Sequence, residues 1–422
     1  MSKDTRTTEP LRVLQVFGTL NLGGAESRVA ELYRAVDRSR VQFDFLVHTE
    51  AKGADDSSDA LMTARKPEHF DGILRELGAR IFAVPRFHGS NLSAYKKALR
   101  RFFAAHSGEW IAVHGHMTSM AAVYLPIAGE EGSVPLLIAH ARSAGTDPGL
   151  KGIVTNLMRK PLRATDCPYF RFAVSEIAGE AVFGKAAMRK GNVQVIPNAV
   201  NLEQFAYDPA ARERIRVEHN LSEDTFVIGH VGSFRFAKNH EFLLKVFAAR
   251  KQLHGDAGEV KLLLVGDGER MQEMQKLAAA EGIADDVVFA GNQSDIAAYY
   301  SAMDALVFPS RYEGMPGTVI EAQAAGLPCL ISDAITKEVV LTELVRQLSI
   351  QDAPEKWAEE VKTTPGLSAE VATGREQTSA TARQQLAAAG FDSKTQAERL
   401  TGFYMTGVME PPSVTEEKRT KT

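Results

Sequence analysis

The chain has 422 residues, 44% of them apolar and 24% charged, with a formal net charge of -4. That profile excludes disordered, collagenous and coiled-coil classes, and the length calls for two domains of about 150–200 residues rather than one core. Two cysteines, Cys167 and Cys329, exclude a disulfide framework or a cysteine metal cluster, and no apolar run reaches the length of a membrane span. The opening MSKDTRTTEP lacks the apolar stretch of a signal peptide, so the expected location is the cytoplasm, with any membrane contact peripheral. Charge is uneven. Residues 1–200 carry 26 Lys+Arg against 20 Asp+Glu, hence +6, and residues 201–422 carry 23 against 33, hence -10. A basic first half suits an anionic ligand or surface on that side, although solvated surface alone accounts for an imbalance of this size.

In chain order, Leu11–Phe17 reads as a first strand, followed by a loop to Gly24 and a helix over Ala25–Val36. Gly23 and Gly24 are expected to allow close backbone approach and positive φ at that helix mouth. The three-glycine spacing of a dinucleotide loop is missing. Val41–Val47 is a second strand, and Thr49–Lys66 reads as a mobile polar loop. Helix 67–77, strand 80–84 and helix 93–106 then alternate as a parallel sheet requires. Lys96, Lys97, Arg100 and Arg101 on the last of these read as a solvated basic face in preference to a lipid-facing one. Strand Trp110–Val113 runs into His114-Gly115-His116-Met117, whose two imidazoles share a face and either meet a ligand or pack. Strand Leu136–Ala139 precedes Arg142, a residue suited to neutralising a phosphate or an anionic acceptor. Lys151–Arg163 mixes apolar and basic residues and is a second candidate membrane-surface helix, shortened by Pro161. Phe172–Val174 reads as the last strand of this half, and Val193–Ile196 leads into a crossover at Pro197-Asn198-Ala199-Val200-Asn201.

The alternation restarts with strand 226–231, helix 241–252, strand 261–265, helix 269–281 and strand 287–290. Gly232-Ser233-Phe234-Arg235-Phe236-Ala237-Lys238 is a glycine turn with two cations, a plausible diphosphate clamp. Gly266-Asp267-Gly268 reads as structural, and Tyr299, Tyr300 and Asp304 as packing residues. Ala305–Phe308 is a short buried strand stopped by Pro309, and Pro316 suits the first position of a helix that closes at Gly326 before strand Cys329–Ile331. Such a helix mouth at the carboxyl edge of a parallel sheet favours a phosphate. Glu313 and Glu321 beside it favour sugar and ribose hydroxyls, so the combination suggests a nucleotide sugar. The plainer alternative is that Glu313 complements the helix dipole and Glu321 is solvated. Beyond Asp333, 337–348 and 353–363 read as helices, 364–380 as loosely ordered, 381–389 and 391–404 as helices, and the chain from 409 as a tail.

The run E-G-M-P-G-T-V-I-E-A, with FPS before it and A-A-G-L-P-C-L-I-S-D after it, resembles the retaining glycosyltransferases of family 4 (group 1). It is closest in pattern to enzymes of bacterial capsular and exopolysaccharide assembly. Gly-Gly-Ala-Glu after the first strand and the P-N-A-V stretch are similar to the same family, with Ala199 standing where glycine is usual.

The resemblance implies an α/β fold of the GT-B type, two Rossmann-like doubly wound domains facing each other across a cleft. Residues 1–200 would bind acceptor and 201–385 the donor, 386–408 would hold a helix crossing back to the first domain, and 409–422 a disordered tail. The implied reaction is a hexosyltransferase one. A hexose or N-acetylhexosamine would move from a nucleotide-diphosphate sugar, a UDP-sugar for preference, to a hydroxyl of a glycan or lipid-linked glycan, with retention. By resemblance His116 and Glu313 are the catalytic candidates and Arg142 lies on the acceptor or phosphate side. Gly23, Gly24, Arg235, Lys238, Asn292, Met315, Pro316, Gly317, Thr318 and Glu321 would hold the donor. Ser233 stands where many members have arginine, and Arg235 would substitute from two positions on. No cofactor, metal or nucleic acid is expected, and an anionic membrane is a possible peripheral contact. The rival classes are a nucleotide-sugar epimerase of the same fold, an NAD-dependent oxidoreductase disfavoured by the missing glycine loop, and a catalytically silent assembly partner.

Overall fold

The computed structural model describes residues 9–21, 23–50, 57–142, 150–254, 259–313, 315–363 and 374–410. The chain divides into two compact units, one running to Ala199 and resuming at Ser393, the other spanning Val200–Asp392. The returning segment thus begins at 393, later than the 386 expected.

The first unit is built on seven strands: β1 Leu11–Val16, β2 Val41–Thr49, β3 Ile81–Pro85, β4 Ala112–Gly115, β5 Leu136–Ala141, β6 Phe170–Ala173 and β7 Gln194–Val195. They lie in the order β3-β2-β1-β4-β5-β6-β7, and every pairing is parallel. The order reverses between β1 and β4, which makes their carboxyl ends the topological switch point of this sheet. Both faces are covered, as a parallel sheet needs. On one face, helices Leu92–Ala105 and Thr118–Gly132 bring Tyr95, Phe103 and Tyr124 against Trp110 and Val113. On the other, helix Gly24–Ala35 and the returning helix Ser393–Thr406 bring Tyr33, Phe403 and Tyr404 against Phe43 and Phe172. Full burial of each of these rings contributes about 1.5–3 kcal/mol.

The second unit carries β8 Phe226–Val231, β9 Val260–Val265, β10 Val287–Gly291, β11 Ala305–Phe308, β12 Cys329–Ser332 and β13 Val345–Leu348. Their order, β10-β9-β8-β11-β12-β13, again all parallel, puts the switch point between β8 and β11.

Three expectations are corrected, and two elements appear where none was expected. The stretch 337–348 is a short turn of 3-10 helix, Lys337–Val339, followed by β13 rather than a helix. Its Val345 and Leu348 face the core while Arg346 is exposed, a pattern two-sided enough to pair with β12. The stretch 193–196 that leads into the crossover, given no element above, contributes a two-residue edge strand, β7. Within the loop expected at 49–66, residues Ser58–Ala64 form a helix capped by the Ser57 hydroxyl, while 51–56 lie outside the described residues. Of the segment expected to be loosely ordered, 375–380 open the helix Arg375–Ala388 and 364–373 lie outside the described residues. The helix Thr118–Gly132 had no counterpart in the sequence reading: its apolar residues run all round it, so no amphipathic stripe marks it. The tail from 411 onward likewise lies outside the described residues.

Candidate active site

In the second unit the site grows from the two loops that leave β8 and β11. The first loop is pinned by glycine geometry. Gly266 adopts a φ of 136°, and a Cβ there would stand 2.3 Å from the Gly232 carbonyl oxygen, so no side chain fits. A Cβ on Gly232 would meet His230 Nε2 and the Lys238 stem, both at 3.2 Å. The second loop is then stitched to the first. Arg311 donates its backbone N–H to the Ala237 carbonyl (2.8 Å), and the Asn239 side-chain amide donates to the Pro309 carbonyl (3.1 Å).

The stitching brings two expected site residues into contact. Lys238 Nζ lies 2.8 Å from Glu313 Oε1, with both side chains about four-fifths buried at 17% and 20% exposure. The same ammonium sits 4.5 Å from the centroid of the Phe308 ring, a cation–π contact across the sheet edge. Beneath it, His230 donates from Nδ1 to the Val307 carbonyl at 2.9 Å, while its Nε2 is buried without a partner. Burial pulls the His230 pKa down to about 4, with the Lys238 charge adding to the effect, so the imidazole is neutral at pH 7.

The helix after β11 spans Gly317–Ala324, with Pro316 at its N-cap (φ -72°, ψ 112°) rather than at its first turn, and no side chain caps it. The first helical amides are therefore those of Gly317 and Thr318, which leaves the positive end of the helix open. The Thr318 hydroxyl donates to the Val231 carbonyl at the end of β8, and Met315 packs on the core. Glu321 is held by a residue assigned above to packing alone: Tyr300 donates its hydroxyl to Glu321 Oε2 at 2.9 Å. Burial pushes the Tyr300 pKa well up, helped by the Glu321 charge, so it is a permanent donor. Asp304 does pack as expected, accepting from Arg212, Arg216 and the Val227 N–H. Arg235 and Asn292 are exposed on neighbouring loops and make no side-chain hydrogen bond among the described residues. The structure thus joins Lys238 to Glu313 and Tyr300 to Glu321, and leaves Arg235 and Asn292 outside those contacts.

In the first unit the expected residues gather at the β1/β4 switch point. His116, just past β4, is buried and stacks on Phe17 with ring centroids 4.3 Å apart. Its Nδ1 accepts from Arg142 Nε (3.0 Å), so the proton is on Nε2, which donates to Gln15 Oε1 (2.8 Å). Burial drives its pKa well below the ordinary value, and the charge of Arg142 acts in the same direction. Both nitrogens are committed, so His116 is a neutral strut for Arg142 and offers no free lone pair. Arg142 also donates to Asn198 Oδ1 at 3.0 Å. Its own pKa is pulled down to about 10 by burial.

His114 is the packing member of the pair. It meets the Tyr404 hydroxyl through Nδ1 (2.7 Å) and His140 Nδ1 through Nε2 (2.9 Å). Of the six ring nitrogens of His114, His116 and His140, one from each residue lies within 4.8 Å of the other two. Every one except His140 Nε2 is engaged in a hydrogen bond, which a metal ion would have to displace. Gln15, Asn198, His140 and Tyr404 were invisible as site residues in the sequence; only the parallel register of β1 and β4 and the returning helix bring them here.

Gly23 and Gly24 open the helix Gly24–Ala35, but positive φ is not what the position needs. Gly23 is extended (φ -149°), and a Cβ there would stand 2.3 Å from Glu26 Oε2, the far end of a flexible side chain that a larger residue would displace. Burial raises the Glu26 pKa, and the Arg142 charge opposes the rise.

Comparison with known proteins gives this arrangement a family. Residues 211–364 match the family model described as glycosyl transferases group 1. EpsF of Bacillus subtilis (strain 168), which carries a glycosyltransferase name, is 33% identical over 353 residues, 83% of this chain and 86% of that protein. The E. coli protein named UDP-Gal:alpha-D-GlcNAc-diphosphoundecaprenol alpha-1,3-galactosyltransferase is 32% identical over 146 residues, 33% of this chain and 36% of its own. Among solved structures, Anabaena Alr3699/HepE in complex with UDP superposes with a TM-score of 0.69 at 18% identity, covering 94% of this chain and all of that one. The two doubly wound parallel sheets are the fold of such enzymes, and the chain belongs to the group 1 glycosyltransferases of GT-B fold.

Proposed function

We propose that this enzyme transfers a hexose or N-acetylhexosamine from a UDP-sugar to a hydroxyl of a glycan or lipid-linked glycan in cell-surface polysaccharide synthesis, with retention. The observation that carries the reading is the Lys238–Glu313 pair beside the uncapped helix at the β8/β11 switch point. A diphosphate needs a cation and free amides; a sugar needs an acceptor carboxylate. The names of two relatives support the choice of donor and acceptor: the E. coli enzyme takes UDP-Gal and a diphosphoundecaprenol-linked sugar, and the Anabaena protein is solved with UDP.

In this reading Lys238, the exposed Arg235 and the amides of Gly317 and Thr318 stabilise the leaving diphosphate, where charge develops in the transition state. Glu321, oriented by Tyr300, grips the ribose diol. Glu313 holds the donor sugar and supports positive charge at its anomeric carbon. Asn292, next to the backbone of Gly291, lies on the base side. We assign Gly23 and Gly24 to the donor's sugar and phosphates, and Arg142, braced by His116, to the acceptor or phosphate side. A donor phosphate oxygen takes the acceptor proton at the face from which the diphosphate leaves, so no side chain serves as general base. The charge inventory needs no metal, and activity is expected to survive chelation.

A thermal-shift panel of UDP, GDP and ADP sugars tests the donor, because a ligand at 100 times its Kd stabilises by about 2.7 kcal/mol. UDP-sugars are expected to give the largest shift. In transfer assays, Glu321→Ala should raise donor KM roughly tenfold or more with a smaller effect on kcat, and Glu313→Ala should mainly lower kcat. Unchanged donor KM in Glu321→Ala would remove the ribose role.

A further inference from the structure

We propose that Arg375 is a positioning residue for the donor, which fixes the Tyr300–Glu321 pair from behind and so sets how strongly the enzyme prefers a ribonucleotide to its 2′-deoxy counterpart. The inference rests on the ribose role proposed above for Glu321. Tyr300 and Glu321 stand on separate helices, Ile296–Ala302 and Gly317–Ala324. Their 2.9 Å hydrogen bond survives only while the two helices keep one position relative to each other. A single hydrogen bond is too weak to impose that position by itself.

One side chain joins the far ends of both helices. Arg375 opens the helix Arg375–Ala388 and is 5% exposed. Its Nη2 donates to the Tyr300 carbonyl at 2.6 Å and its Nε to the Ala325 carbonyl at 3.1 Å, while Nη1 serves the carbonyls of Ser301 and Met303. Tyr300 is thus held at both ends, by Arg375 at its carbonyl and by Glu321 at its hydroxyl. Ala325 in turn donates its N–H to the Glu321 carbonyl at 3.0 Å, so the guanidinium is one residue removed from the Glu321 backbone. Carbonyls at a helix C-terminus carry partial negative charge, and a cation suits both ends at once. Burial pulls the Arg375 pKa down to about 10, so the charge is present at pH 7. The planar fork of donors is what lets one residue span two helices; an ammonium does not match it.

Neighbouring contacts make the junction firm. Ser379, one turn on from Arg375, donates its hydroxyl to the Ala324 carbonyl at 2.6 Å and accepts from the Tyr207 N–H at 3.1 Å. The Tyr207 ring lies 4.6 Å from the guanidinium, a cation–π contact. Gly326 has a φ of 63°, and a Cβ there would stand 2.8 Å from Ser379 N, so the backbones themselves touch. Arg212 and Arg216 also donate to the carbonyls of Ser301, Ala302 and Met303. Removing the Arg375 guanidinium therefore acts mainly on Tyr300 and Ala325, the two points that set Tyr300 against Glu321. A mere structural staple would lower stability and weaken every ligand alike. A positioning residue for the ribose acts selectively on the 2′-hydroxyl.

The test is calorimetric titration of the full chain with UDP and with 2′-deoxy-UDP, for the parent, Arg375→Met, Ser379→Ala and Glu321→Ala. The parent is expected to bind UDP about tenfold more tightly than 2′-deoxy-UDP, the effect of one hydroxyl on a carboxylate. Arg375→Met should bring that ratio to about twofold or below, chiefly by weakening UDP, and Ser379→Ala should lower it by a smaller factor. In transfer assays both variants should raise donor KM while kcat stays within about twofold of the parent. Thermal melts verify folding, and if Arg375→Met does not fold, Ser379→Ala decides the matter. A parent ratio near one, or a ratio that Glu321→Ala leaves intact, would overturn the ribose reading and this inference with it. A ratio abolished by Glu321→Ala yet kept by Arg375→Met and Ser379→Ala would overturn the role of Arg375 alone, as would equal weakening of both nucleotides.

Discussion

Glu321 shows how a residue legible in the sequence depends on one that is not. The two glutamates of 305–332, with Lys238 ahead of them, could be singled out because carboxylates and a lysine beside glycine turns have a chemistry of their own. Tyr300 could not, since an aromatic residue in an apolar helix reads as core. It is core, yet its hydroxyl meets Glu321 Oε2 at 2.9 Å. Tyr300→Phe is expected to raise donor KM about tenfold with kcat nearly unchanged, the cost of one charge-assisted hydrogen bond of about 1.5 kcal/mol. Steady-state kinetics at limiting donor give the answer, and a change confined to kcat would assign Tyr300 to the chemical step. His116 carries the opposite lesson. Its place at the end of β4 was readable, but its service as a neutral strut between Gln15 and Arg142 emerges only from the register of β1 beside β4.

Elements with a clear period or clear punctuation were read nearly in full. Strands β8 and β11 fall where their apolar runs and the following Gly232 and Pro309 placed them. Elements that failed share a physical cause: their apolar positions are set by tertiary partners. β13 is a charged edge-side strand that only β12 makes a strand, and the helix Thr118–Gly132 is buried all round. The glycine turns after β8 and β9 were readable as turns but not as a mutual fit. With φ at 136° and a Cβ 2.3 Å from the Gly232 oxygen, Gly266→Ala must move the loop that carries Lys238. Destabilisation of about 2–4 kcal/mol is expected in urea melts, together with weakened donor binding. A variant as stable as the parent would show that the two turns are not locked together.

Across the whole molecule, buried neutral histidines set the acid limit of stability. Burial pulls His48 and His230 down to about 4 and His240 to about 2, and holds His114, His116 and His140 well below the ordinary range. In the unfolded chain each titrates near 6.5. Between pH 6.5 and about 4 the unfolded state therefore binds more protons than the folded one, and stability must fall as pH falls through that window. A loss of on the order of 10 °C in Tm is expected between pH 7 and pH 5. A flat profile there would mean that the imidazoles are not buried in the neutral form. The division into two doubly wound units was legible from the restart of strand–helix alternation after Asn201. The return of Ser393–Thr406 to the first unit was a property of the family resemblance, and no local signal in the sequence marks it.

The central claim is that Lys238, paired with Glu313 in the ligand-free chain, exchanges that carboxylate for a nucleotide diphosphate. Calorimetric titration of UDP into the parent, Lys238→Met and Glu313→Gln tests it most directly. Lys238→Met should weaken binding at least tenfold, while Glu313→Gln, by freeing the lysine, should tighten it several-fold even as turnover falls. Equal affinity of all three proteins for UDP would contradict the claim.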